Sequence, residues 1–353
     1  MDVIDDAKAQ LDVLEAANPS GAIKAEIAKY RKLIEQRQNP LKRSASFAAG
    51  MHYDKNRNAY PDSGNFLVLG AVTPGTSEEI DDWGRFALGA VQISRDTGKQ
   101  QLQEVSLDAA YMYDDQVEVS AIDVQALLLN VGALYKSQYG DFLPGAHATI
   151  INLDRDRYSR DYAVSMRWQK PVYKSTIAMF VDARHGWRAY NNTLAAPFND
   201  EQDGNYQRLE VGGRKVIDPT TWFNVSLTLN RIDASAEFQS YEGYALSADL
   251  TKILPRSTFL NVAASVEKQF YEGPDGFVSP LTRKDTDSSL DVTYGVPLAT
   301  IGDLVFGDGA LPEQVRPILL NLSVAYQNSD SNLLNYDYHN YRTQFMFNRG
   351  WDF

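Results

Sequence analysis

The chain has no cysteine and only four histidines, His52, His147, His185 and His339, in 353 residues. The first absence excludes disulfides, thiol catalysis and cysteine-ligated zinc. The second, with no HxxxH or HExxH spacing, excludes a histidine-rich metal centre. Basic charge is short as well: 34 Lys and Arg stand against 46 Asp and Glu, a formal net charge of −12. A nucleic-acid partner, which needs a basic patch to neutralise phosphate, is therefore not expected. Long hydrophobic runs are also missing. The longest, such as Ala126-Leu127-Leu128-Leu129, break within a few positions, far short of the roughly 18 apolar residues of a membrane-crossing helix. The acidic opening Met1-Asp2-Val3 has neither the basic region nor the apolar core of a secretory signal.

What the chain does have is aromatic side chains, 20 Tyr, 15 Phe and 5 Trp, and a change of period near residue 41. Before it, Ile4, Ala7, Leu11 and Leu14 fall at helical spacing, Asn18-Pro19-Ser20-Gly21 interrupts, and Ile23, Ile27, Tyr30 and Ile34 resume the pattern. Residues 1–41 therefore read as a helical hairpin, either a packing element or the stump of a helical-repeat array. After it the period is two. Leu320, Leu322, Val324 and Tyr326 alternate with Asn321, Ser323, Ala325 and Gln327. Likewise Phe223, Val225, Leu227 and Leu229 alternate with Asn224, Ser226, Thr228 and Asn230.

Over many strands the polar face keeps small, amide, hydroxyl and charged groups. A sandwich or small soluble barrel would gather its apolar faces into one compact core. Strands of this length with apolar residues outside and polar residues inside instead predict a transmembrane β-barrel of the bacterial outer membrane, its walls in the lipid bilayer. Alternation marks fourteen antiparallel strands over residues 42–353, with sixteen as the alternative. The run Phe66-Leu67-Val68-Leu69 would make a fifteenth. An odd count would put the two chain ends on opposite sides of the membrane, so this run is assigned to the first outer loop or to an inward-folded gate. Short connections such as Leu254-Pro255-Arg256 alternate with long polar ones such as 186–205 and 271–284, as periplasmic turns alternate with outer loops. The connection 299–314 is longer than that rule allows.

Alternation also assigns faces. Asp182, Arg184, Glu267, Asp291, Arg342 and Asp352 should point into the lumen, as a solvated lining or a selectivity-setting one. In the last strand Tyr341, Thr343, Phe345, Phe347, Trp351 and Phe353 share the outer face. A terminal Phe after alternating aromatics resembles the signal read by the barrel-assembly machinery, which makes Phe347, Trp351 and Phe353 candidate assembly residues and that machinery an expected partner.

Two stretches carry a family resemblance. One runs from Ala25-Glu26-Ile27-Ala28-Lys29-Tyr30 through Met51-His52-Tyr53-Asp54-Lys55-Asn56 to Pro61. The other is Ala325-Tyr326-Gln327-Asn328-Ser329-Asp330-Ser331-Asn332, then Tyr336-Asp337-Tyr338 and the closing strand. Both resemble the barrel domains of the surface lipoprotein assembly modifier (Slam) family and of related outer-membrane proteins with N-terminal tetratricopeptide repeats. Where family members tend to read YDSN, this chain has Lys55 in place of Ser. The resemblance implies a fourteen-stranded barrel that moves a protein or lipoprotein client to the cell surface. A single helical hairpin falls short of a repeat array that would capture such a client.

Catalytic motifs are sparse: GxSxG, the P-loop and GxGxxG on a strand-to-helix turn are all missing. Asp154-Arg155-Asp156-Arg157 and Asp285-Thr286-Asp287 carry carboxylates that suit Ca²⁺ but fit solvated loops better. The reading is therefore non-enzymatic, with no catalytic residue, metal or cofactor. The expected function is translocation of a macromolecular client. The alternatives are a passive porin, a polysaccharide export pore, or a barrel that serves as structural partner of envelope proteins.

Overall fold

In the computed structural model, residues 3–16, 21–38, 40–99, 101–172, 176–193, 197–307 and 309–353 are described. The interrupting Asn18, Pro19 and Ser20 lie outside them. Two helices come first, α1 (Val3–Ala16) and α2 (Gly21–Gln38). They are tied by Arg31, which donates to Asp12 at 2.5 Å and to Glu15 at 2.6 Å. Next come β1 (Leu41–Asp54), a short pair β2 (Asn65–Val68) and β3 (Ala71–Pro74), then β4 (Asp82–Asp96), β5 (Leu102–Gln116), β6 (Val124–Ser137), β7 (Gly140–Leu153), β8 (Asp156–Pro171) and β9 (Ile177–Tyr190). The second half holds β10 (Gly204–Asp218), β11 (Thr221–Ala234), β12 (Tyr241–Ile253), β13 (Phe259–Tyr271) and β14 (Lys284–Pro297). A third helix, α3 (Leu298–Phe306), precedes β15 (Leu319–Ser331) and β16 (Tyr338–Asp352).

Fourteen of these strands close into a barrel in which each strand pairs antiparallel with its neighbours in sequence. The ring is sealed where β1 meets β16, from Ser44 opposite Asp352 to Asp54 opposite Arg342. The pair β2–β3 forms a separate two-stranded sheet, so the Phe66–Leu69 run adds no wall strand. The sequence count of fourteen is the observed one.

Closure follows from side chains that alternate with period two. Val211, Leu227, Leu246 and Val266 stand opposite one another across β10 to β13. They face outward, with Leu227 47% and Leu246 57% exposed. One residue along, Gly212, Ser226, Ser247, Ser265 and Ser289 form the matching inner row. Such an inside-out distribution is stable only when the apolar face meets hydrocarbon, and the fold is that of a bacterial outer-membrane barrel. Aromatic side chains mark both ends of the belt. Tyr162 stacks on Trp187 with ring centroids 6.3 Å apart, and Tyr326 and Tyr341 lie 4.9 Å apart. Midway along β16, Phe345 packs edge-on against Phe347 at 4.8 Å, and Trp351 follows at the opposite end.

Both chain ends of the barrel lie at its turn end, where connections such as 138–139, 219–220 and 254–258 are short. The loop end carries 55–81, 191–203 and 272–283. In bacterial barrels the turn end faces the periplasm. The one long turn-end connection, 298–318, contains α3. Arg316 donates to both oxygens of Asp303 at 3.0 and 3.1 Å, and this pairing holds the Asp303 carboxyl below its usual range.

Candidate functional site: the lumen and its outer seam

Every lumenal residue read from alternation lies on the inner face. Asp182 and Arg184 sit on β9 opposite Glu210 and Arg208 of β10. Glu267 of β13 stands opposite Asp287, and Asp291 of β14 stands opposite Ala263. Arg342 of β16 faces Asp54, and Asp352 stands opposite Ser44 at the turn end.

Charge is unevenly distributed around this wall. β8, β9 and β10 carry an arc of arginines: Arg167, Arg184, Arg188, Arg208 and Arg214. Some are matched locally, Arg188 by Asp161 at 3.1 Å and Arg208 by Glu210 at 3.0 Å. Others lie over aromatic rings, Arg167 above Phe180 at 4.0 Å and Arg214 above Trp222 at 4.9 Å, a contact that holds a guanidinium while leaving its charge unneutralised. The arc from β12 to β14 is acidic. There Asp249 accepts from Asn224 at 2.8 Å, Glu267 from Asn230 at 3.0 Å, and Asp291 from Thr293 at 2.9 Å. These donors are neutral, and among the described residues none of the three carboxylates is held in an ion pair. A cavity of about 440 Å³ lies between the two arcs, with Arg167, Glu210, Asp249 and Asp291 in its lining. A second, of about 470 Å³ at the turn end, is lined by Ser44, Gln92, Asp108, Asn130 and Asp352.

His147 joins Asn130 and Ser165 in a line, its Nδ1 2.7 Å from Asn130 Oδ1 and its Nε2 2.8 Å from Ser165 Oγ. This brings together a serine and a histidine that no spacing in the sequence had paired. The backbone beside Ser165 is committed to the ladders with β7 and β9, and Gly145 leaves room for both side chains. The line is a hydrogen-bonded element of the wall.

At the loop end lies a cluster that sequence reading missed. Asp54 is fully buried, and His52 and Asp82 are each 2% exposed. Asp54 accepts from Arg342 Nε, from Asn340 Nδ2 and at His52 Nδ1, each at 2.8 Å. The other nitrogen of His52 lies 2.8 Å from Asp114. Each ring nitrogen of His52 thus faces a carboxylate oxygen. Asp82 receives the backbone N–H groups of Glu118 and Val119 at 3.0 and 2.8 Å, holding the loop between β5 and β6. Further out, Asn340 Oδ1 accepts from the Asn56 backbone at 3.0 Å, and His339 Nδ1 lies 2.7 Å from Asp62. The two stretches that resembled the Slam family thus meet in space, at the seam between the first strand and the last.

Phe66, Leu67, Val68 and Leu69 belong to the β2–β3 hairpin and its tip, which folds back onto the loop end. Asn335 brackets Leu67, accepting from its N–H at 2.7 Å and donating to its carbonyl at 3.2 Å. The N–H groups of Leu69 and Gly70 donate to the carbonyls of Phe277 and Val278 at 2.8 and 2.9 Å. Leu69 adopts a φ of 53° and Gly70 one of 79°, so the tip needs glycine freedom at its second position. The assembly candidates Phe347 and Trp351 lie on the outer face of β16; Phe353 follows the strand, and its N–H donates to the Arg43 carbonyl at 2.9 Å.

No protein-family model matches the chain and no curated protein matches it, so the Slam resemblance finds no support there. Among solved structures, the outer membrane protein OpdK of Pseudomonas aeruginosa is similar at 7% identity and a TM-score of 0.40, over 88% of this chain and 99% of that one. OccAB3 of Acinetobacter baumannii is similar at 9% identity and a TM-score of 0.42, over 89% of this chain and 99% of that one.

Proposed function

We propose that the protein is a passive channel for small hydrophilic solutes, the porin alternative rather than the client translocator. The observation that supports this is the lumen itself: a polar lining whose arginine arc and carboxylate arc face a shared cavity. Ions and zwitterions crossing such a space exchange water for fixed charges of both signs. The carboxylates Asp249, Glu267 and Asp291 with neutral partners tilt the balance toward cations. In this reading the latched β2–β3 hairpin, with Phe66 to Leu69, narrows the outer entrance.

In planar bilayers the intact protein is expected to conduct steadily with a reversal potential favouring cations. Replacing Glu267 and Asp291 together by Gln and Asn should shift that potential toward zero, and deleting residues 65–74 should raise the conductance. A closed intact barrel that co-purifies with a lipoprotein would return the reading to translocation.

Biogenesis gives a separate expectation. Removing Trp351 to Phe353 deletes both the terminal aromatics and the last rungs of the seam, Ala45 with Trp351 and Ser44 with Asp352. Surface levels should fall far more than after removal of three residues from the 191–203 loop. Equal levels of the two deletions would remove the assembly-signal reading.

A further inference from the structure

The long connection at the turn end, for which the alternation rule has no place, forms a helix with an unusual surface. Leu304, Val305 and Phe306 of α3 are 70%, 62% and 70% exposed. They form a contiguous apolar tip on an element that carries a single ionisable residue, Asp303, already paired with Arg316. Exposed clusters of this kind mark an interaction surface.

The helix is firmly mounted. The Leu298 N–H donates to the Ile318 carbonyl at 2.8 Å and the Ala299 N–H to the Arg316 carbonyl at 3.3 Å, which carries the β14–β15 pairing past the end of the sheet. The Thr300 hydroxyl donates to the Arg256 carbonyl in the β12–β13 turn at 2.8 Å. Gly302 is buried against Leu311, where a Cβ would collide. α3 is therefore attached along the rim rather than left loose.

The return segment shows which side of the wall this connection occupies. Arg349 donates to the Gln314 carbonyl. Arg349 lies on the outward row of β16 between Phe347 and Trp351, and its guanidinium stacks over Trp351 at 5.0 Å. The return segment of this connection thus meets the outward row of the barrel at Gln314, beside the aromatic girdle of the turn end. Arginines 256, 316 and 349 surround it on the same rim.

We propose that α3 lies in the surface of the periplasmic leaflet of the outer membrane, with Leu304, Val305 and Phe306 among the upper acyl carbons of phospholipid and the rim arginines level with the phosphates. Short amphipathic helices adopt this position, their apolar face sunk to the boundary between headgroups and acyl chains. The helix then fixes the depth and tilt of the barrel at one sector, β12 to β16.

The cysteine-free chain permits a direct test. Nitroxide labels are placed singly at Phe306→Cys and, as a second site, Val305→Cys, in the full chain reconstituted in phosphatidylethanolamine–phosphatidylglycerol vesicles. Leu322→Cys on the lipid-facing wall and Phe277→Cys on an outer loop serve as references, and heat-modifiable gel migration confirms that each barrel is folded. The ratio of collisions with oxygen to collisions with a water-soluble nickel chelate should be several-fold higher at 305 and 306 than at 277, and close to that at 322. A ratio equal to that at 277 would overturn the proposal. So would spin–spin broadening that persists on dilution into excess lipid, because it would show a second copy of the chain covering the helix.

Discussion

Replacing Asp54 with alanine is expected to lower the unfolding free energy of the barrel by about 3 kcal/mol, the low end for breaking a buried ion pair by removing one partner. The carboxylate is wholly inaccessible and satisfies Arg342, Asn340 and His52 together. Its removal leaves the donors of His52 and Asn340 unmatched inside the wall, a desolvation penalty that no repacking restores. The low end applies because the Arg342 side chain is 38% exposed and recovers some hydration. Urea unfolding in detergent, followed by tryptophan fluorescence, measures the loss. The double variant with Arg342→Leu should lose less than the sum of the two single changes, since the stranded guanidinium is gone. An unchanged midpoint for Asp54→Ala would mean that the cluster is filled by water and contributes nothing to closure.

The second large effect concerns the belt. Leu227 lies halfway along β11, between Val211 and Leu246 on the outer face. Leu227→Arg should cost about 2–4 kcal/mol, the penalty for a cation on the lipid face at the bilayer midplane. Ser226→Arg, one residue away, places the same group in the lumen between Gly212 and Ser247, where water and the carboxylates of the acidic arc receive it. Its stability should stay near that of the parent while its conductance falls. If both variants unfold at the same denaturant concentration, the assignment of faces is wrong.

The difference between neighbouring residues is why so much of the wall was legible. Period two is a property of each strand alone, so Leu227 outward and Ser226 inward follow without knowledge of any partner, and so do the inward positions of Asp182, Glu267 and Asp291. Strand number followed from the same signal plus the parity of a single-chain barrel. The outer seam was not legible, because His52 and Asp54 of β1, Asp114 of β5 and Arg342 of β16 come from three strands and meet only through register and closure. Their trace in the sequence was indirect: both motif stretches sit where those residues converge. The Phe66 to Leu69 run was correctly kept out of the wall, but its partner loops, 277–278 and 335, are more than 200 residues away and no local pattern names them. α3 was invisible for a different reason. Its 9 residues give about two and a half helical turns, too few for a 3.6 period to stand out inside a connection.

The seam has a consequence for how the ring closes. Its clasp joins Asp54 to Asn340 and Arg342, 286 and 288 residues apart along the chain, and the far end is joined by Phe353 and Arg43. Every other pairing in the ring joins strands that follow one another along the chain, apart from the detour through β2 and β3. Such hairpins can form one after another with little entropy lost at each step, whereas the final contact must draw together the ends of nearly the whole polymer. Until that moment β1 and β16 both present naked edges, the state most prone to pair with a stranger. The buried carboxylate reaches Asn340 and Arg342 only once the circle is complete, so those bonds cannot guide assembly. It acts instead as a lock: it leaves the rate of closing alone and slows the rate of opening.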